Sequence, residues 1–293
     1  MRIGMVGLGR MGGNMRQRIR EAGHEVVGYD RNPDVSDVAG LPELVAQLTD
    51  APRVIWIMLP IDVVDDTIAT LTPLLAEGDI VIDGGNSKYT FDAVHARQLG
   101  EHGIHFVDVG TSGGVWGLQN GYALMVGGDD ADIATCMPIF EALKPAGEFG
   151  LVHAGGHGAG HFAKMVHNGI EYGLMQAYAE GWELLEKAED VTNVREIFRS
   201  WREGTVIRSW LLDLMVEAMD ADEHLDGIEG YAADSGEGRW TVNAAVDNGV
   251  AVPTISAALF ARFVSQQADS PAMKMVAAMR QQFGGHAVKA EGS

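Results

Sequence analysis

The first twelve residues constrain the fold more than any other part of the chain. A short apolar run, Met1 to Val6, passes directly into Gly7-Leu8-Gly9-Arg10-Met11-Gly12, a G-x-G-x-x-G set between a predicted strand and a predicted helix. Gly7 permits the tight turn, Gly9 lets the backbone meet a pyrophosphate, and Gly12 lets the helix pack closely on the strand. The helix start, with Leu8, Arg10 and Met11 around it, offers unpaired N–H groups and the positive end of its dipole to phosphate. The motif is weak by itself and gains weight from its neighbourhood in the chain. His24 to Tyr29 reads as a second strand and ends on Asp30, about twenty residues beyond the glycines, where a ribose 2′-OH is accepted. A carboxylate there repels a 2′-phosphate and favours NAD over NADP. Arg31 comes next, placed to stack on adenine or to pair with that phosphate.

Short apolar runs alternate with amphipathic stretches through the first half. Strands are predicted over 2–7, 25–29, 54–58, 80–83, 105–109 and 123–127, and helices over 11–22, 41–48, 63–75 and 91–101. Such alternation predicts a parallel, doubly wound α/β sheet of Rossmann type. From about Gly158 the pattern is helical: 158–187, 194–201, 209–219, 241–248, 253–264 and 271–283. The expected organisation is a dinucleotide-binding domain over 1–155 and an all-α domain over 156–293 for substrate binding and oligomerisation. Ligands of such sheets bind beyond the carboxyl ends of the strands. Those ends carry Leu59-Pro60, Asn86 after Asp83-Gly84-Gly85, and the Thr111-Ser112-Gly113-Gly114 segment. The last reads as a nest-like turn whose N–H groups and serine hydroxyl suit a carboxylate.

The net charge of −20, from 41 acidic and 21 basic residues, argues against a nucleic-acid partner. An anionic substrate must then be held by local Lys and Arg. The longest apolar run, Val54 to Ile61, is too short to span a membrane, and no secretory leader is visible at the N-terminus. One cysteine, Cys136, excludes an internal disulfide and reads as a buried inert thiol. A cytoplasmic enzyme without a metal centre is expected.

The segment Gly160 to Gly173 carries the chemistry. Lys164, Asn168 and Glu171 stand at i, i+4 and i+7, and at about 3.6 residues per turn they share one helix face. A base, a hydrogen-bonding amide and a carboxylic acid in one stripe can take a proton, hold a substrate and return a proton. The ordinary alternative is a solvated charged face. Gly169 and Gly173 interrupt that alternative, because each costs a helix about 1 kcal/mol and points to something approaching the backbone.

These motifs resemble the β-hydroxyacid dehydrogenases and, within them, the short bacterial 6-phosphogluconate dehydrogenase family. The resemblance covers essentially the whole chain. It rests on GLGRMGGNM at 7–15, DGGNS at 83–87, DVGTSGGVWG at 108–117, GAGHFAKMVHNGIEYGLMQ at 158–176, GTVIRSWLL at 204–212, SGEGRWT at 235–241 and FGGH at 283–286. It implies oxidative decarboxylation of a sugar-acid phosphate, 6-phospho-D-gluconate, to ribulose 5-phosphate and CO₂. Lys164 is then the general base, Glu171 the acid that protonates C1 of the enediol, and Asn168 a positioning amide. Asn86 and the Ser112-Gly113-Gly114 turn would hold the carboxylate end, and His167 and Asn168 the hydroxyls near the reacting carbon. Tyr172 and Arg208 would take the phosphate. Arg239 would assist, and Arg280 and His286 would reach the phosphate from a neighbouring subunit of a homodimer or homotetramer with a shared active site.

Two departures from the resemblance bear on this. The long C-terminal extension of the large members is absent, and Asp30 stands where strict NADP users carry asparagine. NADP and a deazaflavin stay open as acceptors beside NAD. The competing readings are a non-decarboxylating relative such as 3-hydroxyisobutyrate dehydrogenase, with no use for Glu171 or Tyr172, and a dinucleotide sensor without turnover.

Overall fold

The structure, a computed structural model, describes residues 1–289. Its contacts divide the chain into two compact units, Met1–His167 and Asn168–Ser293.

The first unit is built on a seven-stranded sheet: β1 Arg2–Val6, β2 Glu25–Tyr29, β3 Val54–Ile57, β4 Ile80–Asp83, β5 His105–Ser112, β6 Ala123–Gly127 and β7 Leu151–Gly155. The strand order is β2-β1-β3-β4-β5-β6-β7. Chain progression reverses at β1, between β2 and β3, and this is the point at which a doubly wound sheet opens a crevice for a ligand. Side-chain alternation divides the core between the faces. Ile3, Met5, Trp56, Ile82, Val107 and Val109 bury against α1 (Arg10–Glu21) and α6 (Asp130–Leu143). Ile55, Ile57, Val81 and Phe106 bury on the other face with α2 (Leu41–Gln47), α3 (Val64–Leu71) and α4 (Tyr89–Gly100). Because both faces are covered, the strands read as continuous apolar runs.

Three features depart from the sequence expectation. The sheet is mixed, because β6 runs antiparallel to β5, with Ser112 opposite Ala123. Only residues 113–122 connect these strands, including the short α5 (Gly117–Asn120), and a parallel crossover needs a dozen or more residues. Thr111 and Ser112 therefore belong to β5, and the turn begins at Gly113. Two elements were also unforeseen, α6 and β7. Helix α6 carries Pro138 in its interior, a residue that normally argues against a helix. Strand β7 has three exposed central residues, so it shows no buried alternation. Cys136 is fully buried on α6, and burial pushes its thiol up to about 12.

The second unit is helical. Helix α7 (Ala159–Glu186) enters it, followed by α8 (Val194–Trp201), α9 (Trp210–Ala221), α10 (Glu237–Asp247), α11 (Pro253–Ser265) and α12 (Pro271–Gly284). It has two small cores. Val194, Phe198, Leu212, Val216 and Met219 pack with Tyr178 and Trp182. Tyr172, Ala258 and Leu259 pack with Met175, Val242 and Phe263. Helix α12 buries none of its residues, and no described helix is long and apolar enough to cross a membrane.

Candidate active site

The glycine turn after β1 has the construction its spacing implies. Gly7 adopts φ +94°, and a Cβ there would meet the Met58 carbonyl at 2.4 Å. A Cβ on Gly12 would stand 2.0 Å from the Gly7 carbonyl oxygen. Both glycines are thus required by packing. Gly9 differs, since a Cβ on it would meet nothing within 4 Å. Its backbone faces open space at a helix start that has no side-chain cap, which fits a pyrophosphate on α1.

Asp30, just beyond β2, is held from two sides. The Leu8 N–H donates to its Oδ2 at 2.7 Å and the Asn32 N–H to its Oδ1 at 2.8 Å. A carboxylate has about four acceptor positions, so two remain for ribose hydroxyls. Arg31 beside it is exposed. The next strand ends bring further glycines. A Cβ on Gly84 would strike the Trp56 ring nitrogen at 2.2 Å, and one on Gly85 the Leu59 carbonyl at 2.7 Å. This fit seats the Asn86 loop beside Leu59, with Pro60 and Asn86 exposed.

Lys164 is placed by β5. Asp108, wholly buried in that strand, accepts the Gly158 N–H at 2.7 Å and the His161 N–H at 3.0 Å. A strand carboxylate thereby caps the start of α7 and complements its dipole. The sequence reading missed Asp108 in this role, although it lies in the quoted block 108–117. Gly110, two residues on, would bring a Cβ within 2.4 Å of Lys164 Cβ, so the lysine stem lies directly against the strand. Ser112, half-buried, is the last residue of β5 and not part of the turn expected from sequence, which begins only at Gly113 (φ +142°) and Gly114 (φ +53°). Helix α7 continues unbroken through Asn168 and Glu171, both half-buried, while His167 is exposed.

In the second unit the glycines of α7 admit a neighbour, as their cost suggested. A Cβ on Gly169 would come 2.7 Å from the Thr241 side chain of α10. Gly173 is looser, with Thr254 at 3.4 Å. Tyr172 is buried, its hydroxyl 3.1 Å from Ser235 Oγ. The Arg262 guanidinium of α11 lies 3.4 Å from its ring centroid. Arg262 was not singled out from sequence, since nothing in the local pattern of α11 separates it from a surface arginine. Arg239 pairs with Asp234 at 2.8 Å and lies over Phe263. Arg208 is exposed in the turn before α9, and Arg280 and His286 are exposed on and just after α12. The described contacts thus gather Tyr172, Ser235 and Arg262 but do not join Arg208, Arg280 or His286 to them.

Comparison with known proteins identifies the family. Residues 2–149 match the family model described as the NAD binding domain of 6-phosphogluconate dehydrogenase, and residues 160–291 match its C-terminal domain. A Bacillus subtilis protein, YqeC, is 42% identical over 99% of each chain. An NAD(+)-dependent, decarboxylating 6-phosphogluconate dehydrogenase of Haloferax volcanii is 39% identical over 98% of each. Among solved structures, Plasmodium falciparum 6-phosphogluconate dehydrogenase superposes with a TM-score of 0.84 at 26% identity, covering 100% of this chain and 67% of its own.

Proposed function

This chain belongs to the 6-phosphogluconate dehydrogenase family, and from that premise we propose how its residues divide the work of an NAD-dependent oxidative decarboxylation of 6-phosphogluconate. The observation that carries the reading is the unbroken helix α7, which keeps Lys164, Asn168 and Glu171 on one face. Its first turn is capped by Asp108 and its lysine stem lies against Gly110.

NAD, when bound, supplies the hydride acceptor. Gly7 to Gly12 hold its pyrophosphate, Asp30 takes the ribose hydroxyls, and Arg31, Leu59, Pro60 and Asn86 complete the cradle. Lys164 takes the proton of the C3 hydroxyl as hydride leaves C3. The 3-keto acid then loses CO₂ while protonated Lys164 stabilises the negative charge growing on the keto oxygen. Glu171 delivers a proton to C1 of the enediol, giving ribulose 5-phosphate. This sequence requires a lysine that is neutral on binding and a carboxyl group that carries a proton at that step. Ser112, Gly113, Gly114 and Asn86 hold the substrate carboxylate, and His167 and Asn168 hold its hydroxyls. Tyr172, Arg208 and Arg239 hold the phosphate, and the stacked Arg262 joins them. A non-decarboxylating β-hydroxyacid dehydrogenase would need no proton donor to C1.

We place the enzyme in the cytoplasm as a homo-oligomer. Met273, Met275, Val276, Met279 and Phe283 on α12 are all exposed. A helix this apolar with no buried residue suits a second copy of the chain, which would bring Arg280 and His286 to a neighbour's phosphate site.

The test is a steady-state assay with 6-phosphogluconate, comparing NAD with NADP and following CO₂. Turnover with CO₂ and NAD preferred is expected, and Lys164→Ala should abolish it while leaving NAD binding intact. No CO₂ with either cofactor, or turnover by Lys164→Ala, would overturn the assignment.

A further inference from the structure

Beneath the proposed base lies a buried cluster that these steps do not use. Asp83 closes β4, Asp92 lies in the first turn of α4, and His161 in the first turn of α7. They are 0%, 0% and 2% exposed. His161 Nδ1 stands 2.9 Å from Asp92 Oδ2, and Asp83 Oδ1 accepts the Gly85 N–H at 3.0 Å. The remaining atoms, Asp83 Oδ2, Asp92 Oδ1 and His161 Nε2, are sealed from solvent without a hydrogen-bond partner. Ligating atoms of the three side chains lie within 4.8 Å of one another.

Two buried carboxylates beside a neutral imidazole would leave like charges uncompensated in a low-dielectric interior, a heavily penalised arrangement. A second proton on the imidazole resolves it. The imidazolium donates from Nδ1 to Asp92 and turns its charge and its Nε2–H toward the space it shares with Asp83. A small metal ion is the other species such donors accept; the 2.9 Å between Nδ1 and Asp92 Oδ2 is that of a direct hydrogen bond, and metal analysis of the purified protein separates the two.

The charged groups facing His161 are Asp92 from α4, Asp83 from β4 and Asp108 from β5, with Lys164 one turn further along its own helix. Burial pulls the imidazole down, but the Asp92 hydrogen bond and the three carboxylates outweigh it and hold it up at about 9. Burial pushes Asp92 up to about 6 against the opposing pull of His161. Between those values the pair is ionised.

The placement of the three residues gives the cluster a purpose. Asp83 and Asp92 bracket the loop that carries Asn86, and His161 precedes Lys164 by three residues. We propose that protonated His161, hydrogen-bonded to Asp92 and faced by the Asp83 carboxylate, is a positioning residue that registers Lys164 against the Asn86 loop. This rests on the reading of Lys164 as the base.

Two measurements test it. In the wild-type protein, ¹⁵N-histidine NMR should show one imidazole with both nitrogens protonated at pH 7.5, titrating near pH 9. That signal should be missing from His161→Asn and should titrate lower in Asp92→Asn. His161→Asn keeps a donor toward Asp92 without the charge. Its kcat should fall on the order of 10²-fold, as expected for a reacting group displaced by about 1 Å, with the KM for NAD unchanged. The wild-type fall in kcat near pH 9 should also be absent from its profile. A neutral His161 at pH 7.5, a stoichiometric metal in the purified protein, or a His161→Asn enzyme with wild-type kcat and pH profile would each overturn the proposal. The NMR arm needs no turnover, so failure of the proposed reaction is read separately.

Discussion

Gly110→Ala isolates the grip of β5 on the proposed base without touching a reacting group. The new Cβ would lie 2.4 Å from Lys164 Cβ and 2.6 Å from the Gly160 carbonyl oxygen, where ordinary contact begins at 3.4 Å. The deficit against Lys164 is 3.4 − 2.4 = 1.0 Å. Neither neighbour can swing aside, because one is backbone and the other is bonded directly to it. The first turns of α7 must therefore retreat by about 1 Å. A displacement of that size at a reacting group costs on the order of 10²-fold in rate, or about 2.7 kcal/mol of barrier at about 1.36 kcal/mol per factor of ten. Overpacking should also cost about 1–3 kcal/mol of stability. The assay is kcat with 6-phosphogluconate beside the NAD dissociation constant and the denaturant midpoint. We expect a large loss of kcat, a lower midpoint and unchanged NAD affinity, because the Gly7–Gly12 turn belongs to β1 and α1. A folded variant with wild-type kcat would refute the view that β5 sets the position of Lys164.

The other predictions concern binding and pH. Asp30→Asn removes a charge that accepts two backbone N–H groups and, by proposal, two ribose hydroxyls. Hydrogen bonds to charged groups contribute about 1.5–3 kcal/mol, so NAD binding should weaken about 10- to 100-fold while discrimination against NADP shrinks. An unchanged NAD/NADP ratio in titrations of both cofactors would remove Asp30 from the specificity argument. Arg208→Met should raise the KM for 6-phosphogluconate about tenfold or more through loss of a charge-assisted phosphate contact, with little change in NAD affinity. Equal KM values for the two enzymes would exclude Arg208 from the phosphate site. For the cofactor-free protein, the raised pKa of His161 fixes the sign of the pH dependence. Its stabilisation is fully present below the ordinary imidazole value of 6.5 and is lost as pH rises through about 9. Denaturant midpoints should decline across that window in the wild type, with a flatter profile in His161→Asn.

Much of the fold was legible in the sequence wherever one residue type had one physical reason to be where it is. Gly7 and Gly12 could be read because their positions tolerate no Cβ, and the alternation of apolar runs gave most of the sheet because each buried strand needs it. The helices of the second half were legible to within a few residues for the same reason. Other features depend on distance in space rather than spacing in sequence. The reversal of β6 results from a connection of only ten residues, 113–122, yet apolar periodicity carries no sign for strand direction. Helix α6 hides its character behind Pro138, and β7, with three exposed residues at its centre, lacks the buried alternation that betrays a strand. In the site, the Lys164–Asn168–Glu171 stripe was readable because a helix face is a local property. The cap from Asp108 was not, since fifty positions separate it from Gly158. Neither was the stacking of Arg262 on Tyr172.

The same distinction between local and spatial properties resolves the charge problem of this chain. A net charge of −20 should repel a phosphorylated sugar acid, so the composition argues against the substrate that the motifs imply. The structure shows why composition misleads here. Asp83, Asp92 and Asp108 are wholly buried, two of them committed to hydrogen bonds with His161 or with the start of α7. Asp234 is paired with Arg239 and Asp213 with Arg202. Such acids are held by neighbours a few ångströms away, and exposed charges farther off than a Debye length, about 8 Å at physiological ionic strength, act weakly on a bound anion. What a phosphate meets is decided by the groups next to it. In the proposed phosphate site, Arg262 is ordered by its stack on Tyr172 and by a hydrogen bond from its Nη1 to the Ala233 carbonyl at 2.8 Å, which leaves other guanidinium donors available. An arginine already ordered in this way loses little side-chain freedom when an anion arrives. Arg262→Ala should therefore weaken 6-phosphogluconate binding at least as much as Arg208→Met, because it removes an ordered donor and the packing over Tyr172 together. A weaker effect than that of Arg208→Met, measured as KM under identical salt, would show that the stack holds the tyrosine and not the phosphate.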